Sequence, residues 1–436
     1  MAREYLKRAR PQARPDDAET TRIVSQMLDR IEHEGEAATR EYSQQLDNWS
    51  PESFIVSQDE ILAAGKTLPE TLKDDIAFAQ RQVREFAKAQ ADSMQALEYE
   101  SYPGLIVGQK HIPVSAAGCY IPAGRFAHLA SAAMSIGTAK AAGVPQVTAC
   151  SAPQGGRGIH PATLYAMDQA GADTILSLGG AHAIGAMAFG HFTGKPAVVL
   201  AGPGNRFVAE AKRLLYGRVG IDVVAGPTEA LIIADDSADP WLVAVDLVSQ
   251  AEHGFESQVI LISTDRALAQ RVIELMPKAL ALLDEQSAAP RAWDDLGEVV
   301  VVDSREEAAE LSDEYANEHL HVQARDLDWW LDNLHNYGSL FLGEETTVSY
   351  GDKASGPNHI LPTRFAARYT GGLWAGKFLK TVTYQRMTQD ASVHVGRIAA
   401  RISRAEGMEG HALAGDVRVQ KYRPNEPLNT HTEPIS

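Results

Sequence analysis

Cysteine is scarce in this sequence, and its scarcity limits the chemistry that the chain can perform. Only Cys119 and Cys150 occur among 436 residues. Two cysteines are too few for a disulfide framework or for the thiolate cage of a structural zinc site. The composition therefore favours a reducing compartment, and we expect the protein to be cytoplasmic.

Long apolar runs and an excess of positive charge are also missing. No stretch is apolar enough to span a bilayer, and the basic residues 1–14 lack the apolar core of a signal peptide. Acidic residues number 57 against 40 Lys and Arg, which gives a formal net charge of −17. Repulsion by this charge argues against nucleic acid or an anionic membrane as a partner. An anionic substrate would need a local basic pocket.

The length and the hydrophobic pattern predict an α/β fold. A chain of 436 residues exceeds one ordinary core, so two domains are expected. Helical patterns recur to about residue 90, β-branched runs alternate with helical patterns from residue 111, and helical patterns return after residue 372. The alternation predicts βαβ units with mostly parallel sheets. Strands are predicted at 147–150, 174–178, 198–201, 230–234, 259–263 and 299–302.

Glycine-rich turns follow several of these strands. Gly179-Gly180, Gly202-Pro203-Gly204-Asn205 and Gly226-Pro227 each stand at a strand end. Ligands of open α/β sheets gather at such carboxyl ends, so we expect a binding site there. The turn at Gly202 departs from Gly-x-Gly-x-x-Gly at its last position, so a dinucleotide would bind in a less standard way.

Four separate clusters offer polar groups for chemistry. Gln250 and His253 stand three apart near the end of a helix predicted to begin at Asp239, a spacing that suits two ligands of one metal. The alternative for His253 is an interaction with the helix dipole. Glu318 and His319 could share acid and base work, or could form a solvated turn.

The third and fourth clusters lie further along the chain. Asp352 could complete a metal site and His359 could contact substrate, although Asp352 could equally close a turn. Glu406 and His411 form the fourth cluster, which carries little information by itself.

In this order the four clusters resemble the histidinol dehydrogenase family over residues 22–418. Tyr120-Ile121-Pro122, Gly179-Gly180-Ala181, Gly202-Pro203-Gly204-Asn205 and 225–229 add to the resemblance. It implies two Rossmann-like domains with helical N-terminal and C-terminal extensions that contribute to a homodimer. The implied limits are 1–16 for an N-terminal extension, 17–119 with 229–372 for a larger domain, 120–228 for an NAD-binding domain, and 373–436 for a helical dimerisation segment.

The resemblance also implies a set of site residues. Zinc would be held by Gln250, His253, Asp352 and, from the partner subunit, the residue His411. Glu318 and His319 would be the acid/base pair. The residues facing substrate would be Thr228, His319, Asp352, His359 and Glu406, and those lining the NAD site would be Tyr120, His182 and Asn205. His182 stands where the family often has glutamine and Thr228 where it often has serine.

Stretches near the expected substrate mouth are more similar to the sulfopropanediol 3-dehydrogenase branch of this family. Arg125, His128 and residues 364–372 add positive charge there, and residues 48–53 and 380–386 also match that branch. Arginine suits a permanently charged sulfonate. Arg125 and His128 could instead lie on an ordinary surface or contact an NAD phosphate.

The branch implies oxidation of (R)-2,3-dihydroxypropane-1-sulfonate to sulfolactate, through an aldehyde, in sulfonate catabolism. L-Histidinol oxidation is the alternative that the same zinc and acid/base residues would support. A non-catalytic metabolite-binding protein would require a decayed site, whereas every expected ligand type is present. A thiohemiacetal route through Cys119 stays open at this point.

Overall fold

The computed structural model describes residues 3–10, 17–123 and 127–428. Its strands, numbered in chain order, are β1 (Glu4–Lys7), β2 (Leu97–Tyr102), β3 (Leu105–Pro113), β4 (Ala117–Ile121), β5 (Val147–Ser151), β6 (Thr174–Ser177), β7 (Val199–Ala201), β8 (Gly220–Ile221), β9 (Glu229–Ala234), β10 (Gln258–Ser263), β11 (Glu298–Val301), β12 (His319–Gln323), β13 (Ser339–Leu342) and β14 (Leu379–Met387).

The helices are α1 (Asp17–Glu34), α2 (Glu36–Asp47), α3 (Gln58–Lys66), α4 (Glu70–Ser93), α5 (Leu129–Ala132), α6 (Thr138–Ala141), α7 (Pro161–Gln169), α8 (Gly180–Phe189), α9 (Arg206–Leu215), α10 (Pro240–Ala251), α11 (Arg266–Leu280), α12 (Ala289–Leu296), α13 (Arg305–Tyr315), α14 (Leu327–Asn333), α15 (Val348–Lys353), α16 (Gln389–Ala405) and α17 (Glu409–Tyr422). A π-helical turn, Ala133–Gly137, joins α5 to α6.

A six-stranded sheet has the order β1-β11-β10-β9-β12-β13. Its pairs are parallel apart from β1, which runs antiparallel to β11. Alternate side chains of these strands enter two separate cores, as the pleat requires. One core lies between the sheet and α10, α11 and α12, and the other includes residues of α13 and α14. The sheet is therefore covered by helices on both faces.

A five-stranded parallel sheet has the order β6-β5-β4-β7-β8. Helices α1, α8 and α9 contribute to the core on one of its faces. The chain moves outward from β4 in one direction through β5 and β6, and in the other through β7 and β8. The crevice at the carboxyl ends of β4 and β7 is thus a topological switch point, where ligands of such sheets bind.

The chain divides into two compact units. The first unit comprises Met1–Ala91 and Pro113–Phe378 and contains both large sheets. The second unit comprises Asp92–Ile112 and Leu379–Ser436. It holds a three-stranded sheet of order β14-β3-β2 and the helical hairpin α16–α17. Gly396 and Gly415 face each other where the two helices cross, and a Cβ on Gly415 would lie 2.5 Å from the Gly396 carbonyl oxygen.

The structure confirms the predicted α/β fold with mostly parallel sheets and helical extensions. All six predicted strands are present, with ends displaced by no more than one residue. The prediction of purely helical structure after residue 372 was wrong, because residues 379–387 form β14. The alternating Thr381 and Thr383 favour a strand there. The domain limits remain a prediction, and none of the described helices is long and apolar enough to cross a membrane.

Candidate active site

The parallel pairing of β12 with β9 brings two glutamates and a histidine together. His319 pairs with Ala230, which places Glu318 beside Glu229. The backbone N–H of Glu229 donates to Glu318 Oε2 at 3.1 Å. His319 Nδ1 lies 3.1 Å from the Glu229 carbonyl oxygen, and a carbonyl can only accept, so Nδ1 carries a proton. The Nε2 atom of His319 is left as the nitrogen that can take up a proton.

Burial sets the electrostatics of this pair. Glu318 and His319 are buried side by side, with 3.5 Å between Glu318 Oε2 and His319 Nδ1. Burial raises the pKa of Glu318 to about 8, which His319 only partly offsets. Burial opposes protonation of His319, but the carboxylates of Glu318 and Asp352 raise its pKa to about 9. The pair therefore has the perturbed proton affinities that acid/base groups need.

The end of α10 supplies a glutamine and a histidine. Asp239 caps the helix, as predicted, by accepting the Trp241 N–H at 2.7 Å. The helix ends at Ala251, so Gln250 lies in its last turn whereas His253 lies in the turn that follows. Gln250 is buried, and its Oε1 atom has no hydrogen-bond partner among the described residues. A buried acceptor oxygen that lacks a hydrogen-bond partner is suited to bind an external ligand.

The short helix α15 brings Asp352 to the same place. Asp352 Oδ2 lies 3.8 Å from His253 Nε2, and Asp352 Oδ1 lies 3.7 Å from His319 Nε2. Burial opposes ionisation of this carboxyl, but His319 outweighs it and lowers the pKa of Asp352. The preceding residue, Gly351, lets the helix approach β13, because a Cβ there would lie 2.5 Å from Phe341 Cε1.

The donor set suits a divalent cation. Over the described residues no cluster of three or more His, Cys, Asp or Glu side chains is gathered in the manner of metal ligands. The group at α10 and α15 instead combines one imidazole, one carboxylate and the amide oxygen of Gln250. Nitrogen and oxygen donors of this kind bind zinc. Gln250 Oε1, which has no partner among the described residues, and the Asp352 carboxylate, which lies near His253 and His319, fit such an ion. The ion would need further ligands from elsewhere.

His359 and His128 extend the group. His359 Nδ1 donates to the Asp352 carbonyl oxygen at 2.9 Å, and its Nε2 lies 3.1 Å from Ser131 Oγ. Burial lowers the pKa of His359 to about 4, so this imidazole is neutral. Burial, and secondarily the charges of Lys353 and His253, lower the pKa of His128. Both imidazoles can therefore face a substrate without adding positive charge.

Two of the predicted site residues belong to the second unit. Glu406 is the C-cap residue of α16, and His411 lies in the first turn of α17. Both are exposed in the chain. The structure therefore brings His253, His319 and His359 together around Asp352, and it places Glu406 and His411 on the helical hairpin.

The turn after β7 is fixed by a buried ion pair that sequence reasoning missed. Lys212 Nζ donates to the Gly202 carbonyl oxygen at 2.9 Å and also to Asp222, which accepts the Gly202 N–H at 2.7 Å. Asn205 caps α9 by accepting the N–H groups of the second and third helical residues. A Cβ on Gly202 would lie 2.1 Å from the Tyr120 carbonyl oxygen, so only glycine fits at this switch point.

The other residues predicted around the nucleotide are more enclosed. Tyr120 is buried on β4, where its hydroxyl accepts the Gly180 N–H at 3.2 Å. His182 is fully buried, and its Nε2 lies 3.1 Å from Asp47 Oδ2. Cys119 is also fully buried, and burial raises its pKa to about 12. A thiol that ionises so reluctantly is a poor nucleophile, which disfavours a thiohemiacetal route.

The basic residues predicted near the substrate have different surroundings. The Arg364 backbone N–H donates to Glu229 Oε1 at 2.9 Å. The side-chain Nε of Arg364 would lie 2.9 Å from a Cβ placed on Gly226. Arg368 instead donates to the Glu314 carbonyl oxygen at 2.7 Å. Thr228 is half-buried. Arg125 lies outside the described residues.

Comparison with known proteins decides the family. A family model described as Histidinol dehydrogenase matches residues 10–419. The chain belongs to the histidinol dehydrogenase family. It is 57% identical over 404 residues to a "Histidinol dehydrogenase homolog" of Ruegeria pomeroyi, covering 92% of this chain and 93% of that protein. It is 53% identical to the "Sulfopropanediol 3-dehydrogenase" of the same organism, covering 98% and 99% of the two chains.

A crystal structure supports the same assignment. The histidinol dehydrogenase of Elizabethkingia anophelis superposes with a TM-score of 0.89 at 34% identity, covering 95% of this chain and 94% of the other. The family and the fold therefore agree, and the chain is a dehydrogenase that oxidises an alcohol.

Removing the space that Gly351 provides should disturb the site. In Gly351→Ala the new methyl meets the Phe341 ring and displaces α15, so we expect kcat to fall by about 10- to 100-fold, the usual effect of a displacement near 1 Å. Steady-state kinetics would measure this. Gly137→Ala is the matched control, because a Cβ at this helical glycine meets nothing within 4 Å. Equal activity of both variants would show that α15 tolerates the change.

Proposed function

We propose that this enzyme is a zinc-dependent NAD dehydrogenase that oxidises (R)-2,3-dihydroxypropane-1-sulfonate to sulfolactate by two successive hydride transfers. One observation carries the chemistry: the buried Nε2 atom of His319 lacks a hydrogen-bond partner among the described residues and lies 3.7 Å from Asp352 Oδ1, while the other oxygen of Asp352 lies 3.8 Å from His253. The name of the relative at 53% identity supports the substrate, since identity to the histidinol dehydrogenase of known structure is 34%.

Gln250, His253 and Asp352 would hold the zinc ion, with the partner subunit's His411 as a further ligand. Bound zinc supplies a Lewis acid that makes the substrate hydroxyl more acidic. A cation beside Asp352 would also offset the carboxylate charge that favours protonation of His319. The imidazole would then be neutral, which is the form that a base requires.

His319 would be the base for both oxidation steps. Its Nδ1 proton is held by the Glu229 carbonyl, so Nε2 accepts the hydroxyl proton while the hydride passes to NAD and the aldehyde forms. Glu318 would then remove a proton from water, which adds to the aldehyde carbon while His319 returns its proton to the carbonyl oxygen, giving the hydrate. His319, again neutral, would take a hydroxyl proton of the hydrate in the second oxidation, for which a second NAD would be the hydride acceptor, and the product would be the carboxylate.

NAD would bind at the switch point between β4 and β7. Tyr120 and the Asn205 turn stand at that crevice, and the buried pair of Lys212 and Asp222 keeps the turn in one conformation. His182 stands two residues after Gly180, whose N–H donates to the Tyr120 hydroxyl, and its Nε2 lies 3.1 Å from Asp47 Oδ2. NADP is the cofactor that the same fold could bind instead, and a parallel assay distinguishes the two.

Arg364 would be the principal partner of the sulfonate. It is exposed and stands next to Glu229 and the Gly226 turn, which leads to Thr228. The guanidinium of Arg368 is already used by a backbone carbonyl. His128 and Arg125 are additional candidates, and His359 and Glu406 would contact the diol end of the substrate.

The active protein would be a homodimer. The hairpin α16–α17 exposes apolar side chains that repeat every four residues, Ile398 and Ile402 on α16 and Leu413 and Val417 on α17. Such a stripe on a helix is characteristic of a buried face. A second copy of the chain would cover it, and His411 and Glu406 of the same hairpin would then complete the partner's site.

L-Histidinol is the alternative substrate, because the zinc ligands and the acid/base pair would serve it equally. A non-catalytic metabolite-binding protein is not supported, because both the acid/base pair and the ligand group are assembled. The choice of substrate therefore depends on the anion-binding residues.

An assay with both alcohols tests the substrate. With sulfopropanediol we expect two NADH per molecule oxidised, with little turnover of L-histidinol. In Arg364→Gln the KM for the sulfonate should rise by about 10- to 100-fold, the value of one charge-assisted hydrogen bond of roughly 1.5–3 kcal/mol. Arg368→Gln is the control and should leave KM close to that of the unchanged enzyme. Faster turnover of L-histidinol than of the sulfonate would reverse the assignment.

Glu318→Gln should separate the two oxidation steps. The amide is isosteric but cannot remove a proton from water, so oxidation of added aldehyde should fall by about 100-fold or more, whereas alcohol oxidation should fall less. Single-turnover measurements of NADH formation from each starting compound would report this. Loss of the two steps to the same degree would contradict the separate role of Glu318.

Mixing two inactive variants tests whether the site is shared. If His411 acts in trans, a dimer of one His411→Ala and one His253→Ala chain contains one intact site, so part of the activity should return. If it acts in cis, every site in the mixture has a lesion. Activity of the mixture, with heterodimers verified by mass spectrometry, distinguishes the two arrangements.

A further inference from the structure

A polar row interrupts the core on the α10 side of the six-stranded sheet. On β9 the residues that face α10 are Ala230, Ile232 and Ala234, all of which are buried in one apolar core. Their partners on β12 are His319, His321 and Gln323. His321 and Gln323 are fully or nearly fully buried, so their polar atoms require partners inside the protein.

The Asp246 carboxylate on α10 is the common partner of this row. Gln323 Nε2 donates to Asp246 Oδ2 at 2.8 Å, and His321 Nδ1 lies 3.4 Å from the same oxygen. His321 Nε2 lies 2.8 Å from the Gly343 carbonyl oxygen and so donates to it. The imidazole is therefore held between α10 and the segment that follows β13.

The other oxygen of Asp246 reaches a third element. Thr347 Oγ1 donates to Asp246 Oδ1 at 2.8 Å. Thr347 is the N-cap residue of α15, yet its side chain does not cap that helix. Threonine at this position ordinarily accepts a backbone N–H of the first turn. Its hydroxyl is directed to α10 instead, which links the start of α15 to the middle of α10.

Each element joined by Asp246 carries part of the candidate site. Gln250 stands four residues after Asp246 and therefore lies on the same side of α10. His319 opens β12, two residues before His321 and on the same face of the strand. Asp352 lies five residues after Thr347, near the end of the short α15.

We propose that Asp246 is a positioning residue of this dehydrogenase, whose carboxylate ties α10, β12 and α15 together and so sets the placement of the site residues that they carry. The proposal rests on the zinc site of the proposed function. A mostly buried carboxylate, with its side chain 17% exposed, is unfavourable on a helix packed against a sheet unless it is well paired. Its two accepted hydrogen bonds, from Gln323 and Thr347, provide that pairing.

Zinc affinity, measured by competition with a chromogenic chelator, is the readout that separates positioning from stability. Asp246→Ala removes both hydrogen bonds, and Thr347→Val removes only the link to α15. We expect zinc affinity to fall by about 10- to 100-fold in the first variant and by a smaller factor in the second, as for other groups that orient metal ligands. We also expect kcat to change more than KM.

Two controls accompany these variants. Asp239→Asn, on the same helix, keeps a residue able to cap α10 and should bind zinc normally. Val272→Ala creates a cavity in the core shared by α10 and α11, so it should lower the thermal midpoint without changing zinc affinity. Asp246→Asn, which retains one acceptor oxygen, should lie between the alanine variant and the unchanged enzyme.

Three results would contradict the positioning role of Asp246. Zinc affinity of Asp246→Ala within about twofold of the unchanged enzyme would overturn the positioning role and leave the zinc site standing. A loss of affinity in Val272→Ala equal to that in Asp246→Ala would also overturn it, because lowered stability would then suffice. If zinc binds no more weakly to Gln250→Ala than to the unchanged enzyme, the zinc site itself is wrong and the positioning role fails with it.

Discussion

Parallel hydrogen bonding between β12 and β9 is the interaction on which the active site depends. Its register sets Glu318 beside Glu229 and turns the imidazole of His319 toward α10. A slip of one residue would direct His319 into the opposite core, among the leucines and valines that pack near α13. The candidate acid/base pair, Glu318 and His319, is thus an extension of the sheet ladder, and the apolar cores on both sides of the sheet hold that ladder in register.

Burial also changes the electrostatics of the candidate site in this acidic protein. The chain carries a formal charge of −17, yet Glu318 is buried and Glu229 is half-buried, and burial raises the pKa of both carboxyl groups. The local field at the site therefore differs from the field that the net charge of the whole chain would suggest.

The sequence predicted the parts of this structure that repeat locally, and it did not predict contacts between distant elements. The six predicted strands are mostly apolar, and their bounds were found to within one residue, whereas β1, β4, β8, β12 and β13 of the same sheets were not predicted. β2 was not found because all six of its residues are exposed and it lacks a buried face. Helical spacing made Gln250 a candidate ligand, and residue type made Asp352 one. No periodicity connects Asp246 with Thr347, and composition cannot distinguish a free arginine from Arg368, which donates to a backbone carbonyl.

The antiparallel strand β1 has a consequence for handling the protein. It covers β11, whose backbone groups would otherwise form an open edge of the six-stranded sheet. Lys7 anchors the strand by donating to the carbonyl oxygens of Asp294 and Gly297. Uncovered edges recruit strands from other molecules and promote aggregation. A truncation that removes Glu4–Lys7, or a fusion partner that pulls this strand away, would therefore be expected to reduce solubility even though every residue of the active site is retained.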